Sequence, residues 1–186
     1  MSQVKKDPNV LLARMEYQRK TNSRPFPSEK LITNGNLLEP NIRAGLLNVC
    51  AKLTDNNWCG RSEMCIYFAC LLRYSLKLLG HKAEVHVGDA TYYGVMGTSF
   101  TWEHSWVVCG EILIDGNVDS MIENPYVPVG IDPNPYWGIL SQIPSDRTFS
   151  LKRTIKILDE EFELDDDYLE WKRRLKEFMK INDLLK

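Results

Sequence analysis

The sequence predicts an α+β domain in which a central apolar helix packs on a small antiparallel sheet, with further helices flanking it. Three observations predict this. An apolar run over residues 65–79 has helical spacing, alternating and turn-bounded runs between 82 and 115 read as strands, and amphipathic runs fall near both ends, at 8–21 and 165–184. A chain of 186 residues suits one domain with one core, so a single unit over 1–186 is expected, its core spanning 40–158.

The first helix is expected over 8–21, where Leu11, Leu12, Met15 and Tyr17 mix with basic residues. Residues 22–41 read as loop, with Pro25, Pro27, Pro40 and the turn signal Asn34, Gly35, Asn36. A second helix over 40–53 carries Ile42, Leu46, Leu47, Val49 and Leu53, and Asp55, Asn56 and Asn57 stop it. In the central helix Cys65, Ala69, Leu72, Leu76 and Leu79 share one face. Ile66, Phe68, Cys70 and Leu71 make most of the remaining surface apolar, the pattern of a helix buried by several neighbours. Ser62 is placed to cap it and Gly80 to end it, which makes Cys65 its third residue, among the unpaired N–H groups of the positive helix end. That placement lowers a thiol pKa.

Residues 82–89 alternate around Ala83, Val85 and Val87 and read as a strand, and 90–99 as a loop. Residues 100–109 and 111–115 read as a hairpin around Gly110 and Glu111. Residues 120–147, rich in Pro, Asn, Asp and Gly, read as irregular chain with a further strand near 127–131. A last strand is expected over 148–158, and the acidic run 159–167 leads into the final helix.

The net charge of −2 argues against a dedicated nucleic-acid binder, and no apolar run reaches membrane-spanning length, so neither partner is expected. The N-terminus has no apolar leader, and the five cysteines lack framework spacing; reduced thiols in a cytoplasmic protein are expected, with export by a specialised system left open. Cys59, Cys65 and Cys70 contain no Cys-x-x-Cys pair, so no metal is expected, and no organic cofactor.

Cys65, His104 and Asp115 place a thiol, an imidazole and a carboxylate on three successive elements. These are the parts of a nucleophilic thiol site: the sulfur attacks a carbonyl, the imidazole moves protons, and the carboxylate fixes the tautomer. A two-residue turn at Gly110 and Glu111 pairs Cys109 with Ile112, Trp106 with Asp115 and His104 with Asn117. Period two then puts residues 104, 106, 115 and 117 on one face, with His104 and Asp115 diagonal neighbours roughly 7–8 Å apart at Cα. A turn one residue longer would separate them to opposite faces. Asp119 is the reserve acid on that face.

The segment resembles the transglutaminase-like branch of the papain-like thiol enzymes. Cys65 is followed by Ala69 at four positions and by Leu79, Gly80 and Ala83 near fifteen, as in that family's nucleophile helix. His104, Ser105, Trp106 and Val107 resemble its histidine-alanine-tryptophan-valine strand, and Leu113 to Asp115 its leucine-aspartate strand. The likeness covers residues 58–119; Glu63 and Glu84 depart from a glycine and an arginine common there, and no tryptophan follows Cys65. The resemblance implies a papain-like fold and acyl transfer: Cys65 attacks an amide of a peptide or protein, His104 serves as base and then acid, Asp115 orients it, and Trp58 or Asn57 supplies a second oxyanion donor beside the Cys65 N–H. Peptidase, amidase and deamidase activities fit this chemistry, and hydrolysis is favoured over cross-linking. A glutamine-deamidating or cross-linking effector and a non-catalytic peptide-binding module of the same fold are the alternatives.

Simpler readings stand beside these. Cys65 can be a small buried apolar residue, His104 a satisfied core histidine and Asp115 a strand end. Cys59 is a rival nucleophile. The aromatic positions Tyr92, Tyr93, Tyr136 and Trp137 are either packing or the lining of a groove for an extended peptide.

Overall fold

A computed structural model describes residues 25–55, 60–155 and 166–185. The expected helix at 8–21, most of the acidic run, and Asn57, Trp58 and Cys59 lie outside the described residues. Three α helices are described: α1 (Pro40–Thr54), α2 (Cys65–Leu78) and α3 (Asp166–Ile181). Six strands accompany them: β1 (Ile32–Thr33), β2 (Glu84–Tyr93), β3 (Ser99–Cys109), β4 (Ile112–Asp115), β5 (Tyr136–Ile139) and β6 (Arg147–Ile155). They form one sheet in the order β1-β5-β4-β3-β2-β6. It is mixed rather than purely antiparallel, because β1 pairs parallel with β5.

The predicted hairpin register is observed: Cys109 pairs with Ile112, Leu113 with Val108 and Ile114 with Val107. Two other readings are corrected. The loop expected over 90–99 is confined to residues 94–98, because β2 runs on to Tyr93 and β3 begins at Ser99; the Gly94 and Gly97 turn signals mark only the hairpin tip between them. The strand expected near 127–131 is absent, and β5 forms at Tyr136–Ile139 instead. Val129, the middle of the expected strand, is almost fully exposed.

Pro40 opens α1 at a position whose N–H has no helical acceptor. α2 ends as expected: the Gly80 N–H donates to Lys77 O and the His81 N–H to Leu76 O, with Gly80 at φ +84°. This double closure satisfies the last carbonyls and favours glycine at the left-handed position. Its start differs from expectation. The flanking residue is Met64, with no side-chain cap, so Cys65 is the first helical residue rather than the third, and Ser62 does not cap the helix.

One sheet face carries Val85, Val87, Val107, Ile112, Ile114 and Trp137, and these join Leu46, Leu47, Phe68, Ala69, Leu72, Leu76, Tyr168 and Leu175 of the three helices in the main core. The opposite face carries Trp106, Leu113 and Tyr136, with Ala90, Tyr92, Val118, Met121 and Ile131 in an adjoining cluster. Tyr92, Tyr136 and Trp137 are buried, so the groove reading fails for them; Tyr93 alone of the four is exposed. Among the described residues no helix is long and apolar enough to cross a membrane.

Candidate functional site

The β3–β4 ladder stops at Val107 and Ile114. Asp115 pairs onward with Tyr136 of β5, so the part of β3 that holds His104 and Ser105 has no β4 partner. His104 and Asp115, both buried, meet beside this break: His104 Nε2 lies 2.9 Å from Asp115 Oδ1. A carboxylate can only accept, so Nε2 carries the proton and Nδ1 is the ring nitrogen left for other work. Nδ1 is buried and makes no hydrogen bond of ordinary geometry, yet the Cys65 thiol lies close enough for each group to shift the other's titration. Sulfur, imidazole and carboxylate are thus consecutive; the contact of the last two is the one for which the hairpin register argues.

Cys65 reaches this point because it is the first residue of α2, where backbone donors have no intrahelical acceptor. The residue is half-buried, unlike Cys50 and Cys70 deeper in the core. Burial opposes ionisation of the Cys65 thiol, but His104, Ser105 and the Ile66 N–H outweigh it and hold the pKa below the ordinary thiol value. For His104 burial opposes the charge, and the bonds with Asp115 and Cys65 override it, raising the pKa to about 9. The two shifts run in the directions that favour a thiolate–imidazolium pair over the neutral pair.

Asp115 is held by more than His104. Tyr92 Oη and Arg147 Nη1 each donate to Asp115 Oδ2 at 2.9 Å. Burial raises the Asp115 pKa, and His104, Arg147 and Tyr92 together bring it below the usual carboxylate value. Arg147 is itself fixed by Asp146 and by the carbonyl of Asn134. The Trp102 ring stacks on the imidazole with centroids 4.9 Å apart and planes 11° off parallel. Trp102 and Asp115 therefore restrain the ring in two directions, leaving Nδ1 toward the sulfur.

Asp119, the reserve acid, serves elsewhere. It receives both terminal nitrogens of buried Arg61, whose Nη1 also donates to Asn117 Oδ1 at 3.0 Å. Glu123 Oε2 accepts the N–H groups of Arg61 and Ser62 at 2.7 and 2.9 Å. This clamp ties the segment before Cys65 to the segment after Asp115. The expected pairing of Asn117 with His104 is replaced by these contacts.

The helix-bearing face of the sheet changes character at Cys65. Beyond buried Ser105 the same period-two positions continue as Glu103 and Thr101 on β3 and Asp89 and Thr91 on β2. Among the described residues no helix covers the sheet here: the Glu103 and Asp89 side chains are 61% and 41% exposed, and Lys152 bridges to both, at 2.6 Å from Asp89 and 3.6 Å from Glu103. The sulfur stands at the border between packed core and an open polar sheet floor.

Sequence reasoning missed Arg147, Trp102, Ser105 and the Arg61 clamp. Alternation could have placed Tyr92 and Trp102 on the His104 face, since Ala90, Tyr92, Phe100 and Trp102 keep period two on either side of the tip. Nothing local marks Arg147, which meets Asp115 from the far edge strand of the sheet. No group of side chains able to hold a metal ion occurs among the described residues.

No family model and no curated protein matches this chain. Among solved structures it is similar to the crystal structure of a genomics target, APC5867, with a TM-score of 0.57 at 15% identity, covering 76% of this chain and 80% of that one. A likeness at that identity concerns the fold alone, here an α+β arrangement with a small mixed sheet.

Proposed function

We propose that the chain is a thiol enzyme of papain-like, transglutaminase-like type that hydrolyses amide bonds of a peptide or protein. The observation that carries this reading is the buried His104–Asp115 bond, with the remaining imidazole nitrogen beside the thiol of a half-buried cysteine at the start of a helix. A satisfied core histidine would not leave Nδ1 unpaired next to a sulfur of lowered pKa.

The Cys65 thiolate attacks the amide carbonyl carbon, forming a C–S bond as the carbonyl electrons move to oxygen. N–H groups at the start of α2 face that oxyanion. The tetrahedral adduct collapses, the C–N bond breaks, and the leaving nitrogen takes its proton from His104 Nδ1. Neutral His104 then removes a proton from water as the water attacks the thioester. Collapse of the second adduct gives a carboxylate product and restores the thiolate–imidazolium pair. With a glutamine side chain the leaving group is ammonia; with a peptide bond it is an amine. Trp58 and Asn57 remain the proposed second oxyanion donors.

The open sheet floor beside Cys65, formed by β3, β2 and β6 and lined by Thr91, Thr101, Asp89 and Glu103, suits an extended or surface segment of polypeptide better than a small enclosed ligand. Cys50, Cys65 and Cys109 are thiols rather than disulfides, which supports a reducing, cytoplasmic setting. The test is incubation with peptide and protein mixtures followed by mass spectrometry. Chain cleavage or a one-dalton gain at glutamine, with an acyl adduct on Cys65 and neither event in Cys65→Ala, is expected; equal products from Cys65→Ala would remove the reading.

A further inference from the structure

Building on that proposed chemistry, we infer that Ser105 is a further catalytic residue, its hydroxyl donating a hydrogen bond to the Cys65 thiolate and holding the sulfur in its attacking form. Ser105 is 3% exposed and its Oγ has no hydrogen-bond partner. A hydroxyl removed from water and left unmatched is costly and uncommon, so the orphan calls for an acceptor. The resting fold supplies one. Period two turns Ser105 away from the His104 face toward the face that carries α2, whose first residue is Cys65. The resting heavy-atom geometry makes no bond to the sulfur, so a turn of the Ser105 side chain about χ1 aims the hydroxyl at it. A neutral thiol is a weak acceptor and a thiolate a charged one, so the bond strengthens as the sulfur ionises. The orphan is thereby satisfied in the working state.

The groups around the sulfur agree. The Ser105 hydroxyl favours the ionised sulfur in the same sense as His104 and the Ile66 N–H, against burial. The principal charge on the sulfur is that of His104 on β3; behind it stand Asp115 of β4, Arg147 of β6 and the hydroxyl of Tyr92 on β2.

The test is the pH dependence of Cys65 alkylation by iodoacetamide in the full chain, resolved by residue with mass spectrometry, which needs no substrate. The wild-type limb is expected well below the ordinary thiol value. Ser105→Ala should move it up by about one pH unit, with labelling near pH 6 about tenfold slower, while Ser105→Thr, which keeps the hydroxyl, should hold the wild-type limb. Melting curves of both variants check that the fold is kept. An unmoved limb in Ser105→Ala, with His104→Ala still raising it, overturns the role of Ser105 and leaves the thiol-enzyme reading intact. A limb raised equally by Ala and Thr also overturns it, because loss of packing then explains the shift. A wild-type limb near the ordinary value, insensitive to His104→Ala, removes both.

Discussion

Asp115 and Asp119 stand four residues apart, each faces a buried arginine, and they do opposite things. Asp115 shares its oxygens among His104, Tyr92 and Arg147, and these donors hold its carboxyl below the usual range against burial. Asp119 has Arg61 and its own backbone N–H, and burial outweighs them, leaving its pKa raised. The arginine is therefore not what marks a working carboxylate. What separates the two is the imidazole: Asp115 passes its charge to a ring whose other nitrogen meets a sulfur, whereas Asp119 ends in a clamp that fixes the chain before α2. A buried ion pair can hold a site together or take part in it, and the contacts beyond the pair decide which.

The comparison breaks most visibly in turnover. Asp115→Asn should lower kcat roughly a thousand- to ten-thousand-fold, because Tyr92 and Arg147 both donate and keep the amide oxygen on their side, which turns its NH2 group to Nε2 and reverses the tautomer, whereas Asp119→Asn should leave kcat within about threefold. Steady-state kinetics on any amide substrate found by the screen checks both, and equal losses would erase the distinction. Next in size is stability. Asp119→Asn leaves Arg61 buried without its counter-charge, and a loss of about 2–4 kcal/mol in denaturant unfolding is expected. The pH dependence of that stability should differ in sign. The Asp115 contribution is present above the usual carboxylate value of 3.8 and is lost as pH falls through its lowered folded value. The Asp119 contribution is full below 3.8 and is lost as pH rises through its raised value.

A third expectation concerns activity against pH. The profile should rise as the Cys65 thiol ionises and fall as the imidazolium loses its proton at about 9. Asp115→Asn removes a charge that favours the imidazolium, so its falling limb should move down; Asp119→Asn should leave it in place. The smallest effect is expected for Tyr92→Phe, which removes one of two donors to Asp115 Oδ2 while Arg147 keeps the other. About a tenfold loss in kcat with a melting temperature close to wild type would place Tyr92 as a positioning residue. Full activity would show that Arg147 alone suffices.

The parts of the fold legible in the sequence are those whose information is local. The apolar faces of α1 and α2 repeat at helical spacing, and a glycine-first turn with period two fixes the register that joins His104 to Asp115. The hairpin tip was harder to read, because the glycines at 94 and 97 mask strands that continue on both sides. β5 escaped for a related reason: Pro135 and Gly138 speak against a strand, yet the segment pairs between β4 and the short β1, and Trp137 and Tyr136 bury their rings on opposite faces of the sheet. The side chains that hold Asp115 and Asp119 in place were illegible. Arg147 meets Asp115 across the sheet, and Arg61 meets Asp119 from 58 residues earlier in the chain. Ser105 is hidden in plain view, since period two places it on the face opposite His104 and only the gap beyond the β3–β4 ladder lets side chains from both faces act on one sulfur.

The central claim is that Cys65 and His104 form an ion pair in the folded protein. Ultraviolet thiolate absorbance, taken as the difference between the wild type and Cys65→Ala across a pH titration, measures this directly. A step well below the ordinary thiol value that moves up in His104→Ala is the expected result; a single step at the ordinary value, unchanged by His104→Ala, would contradict the account.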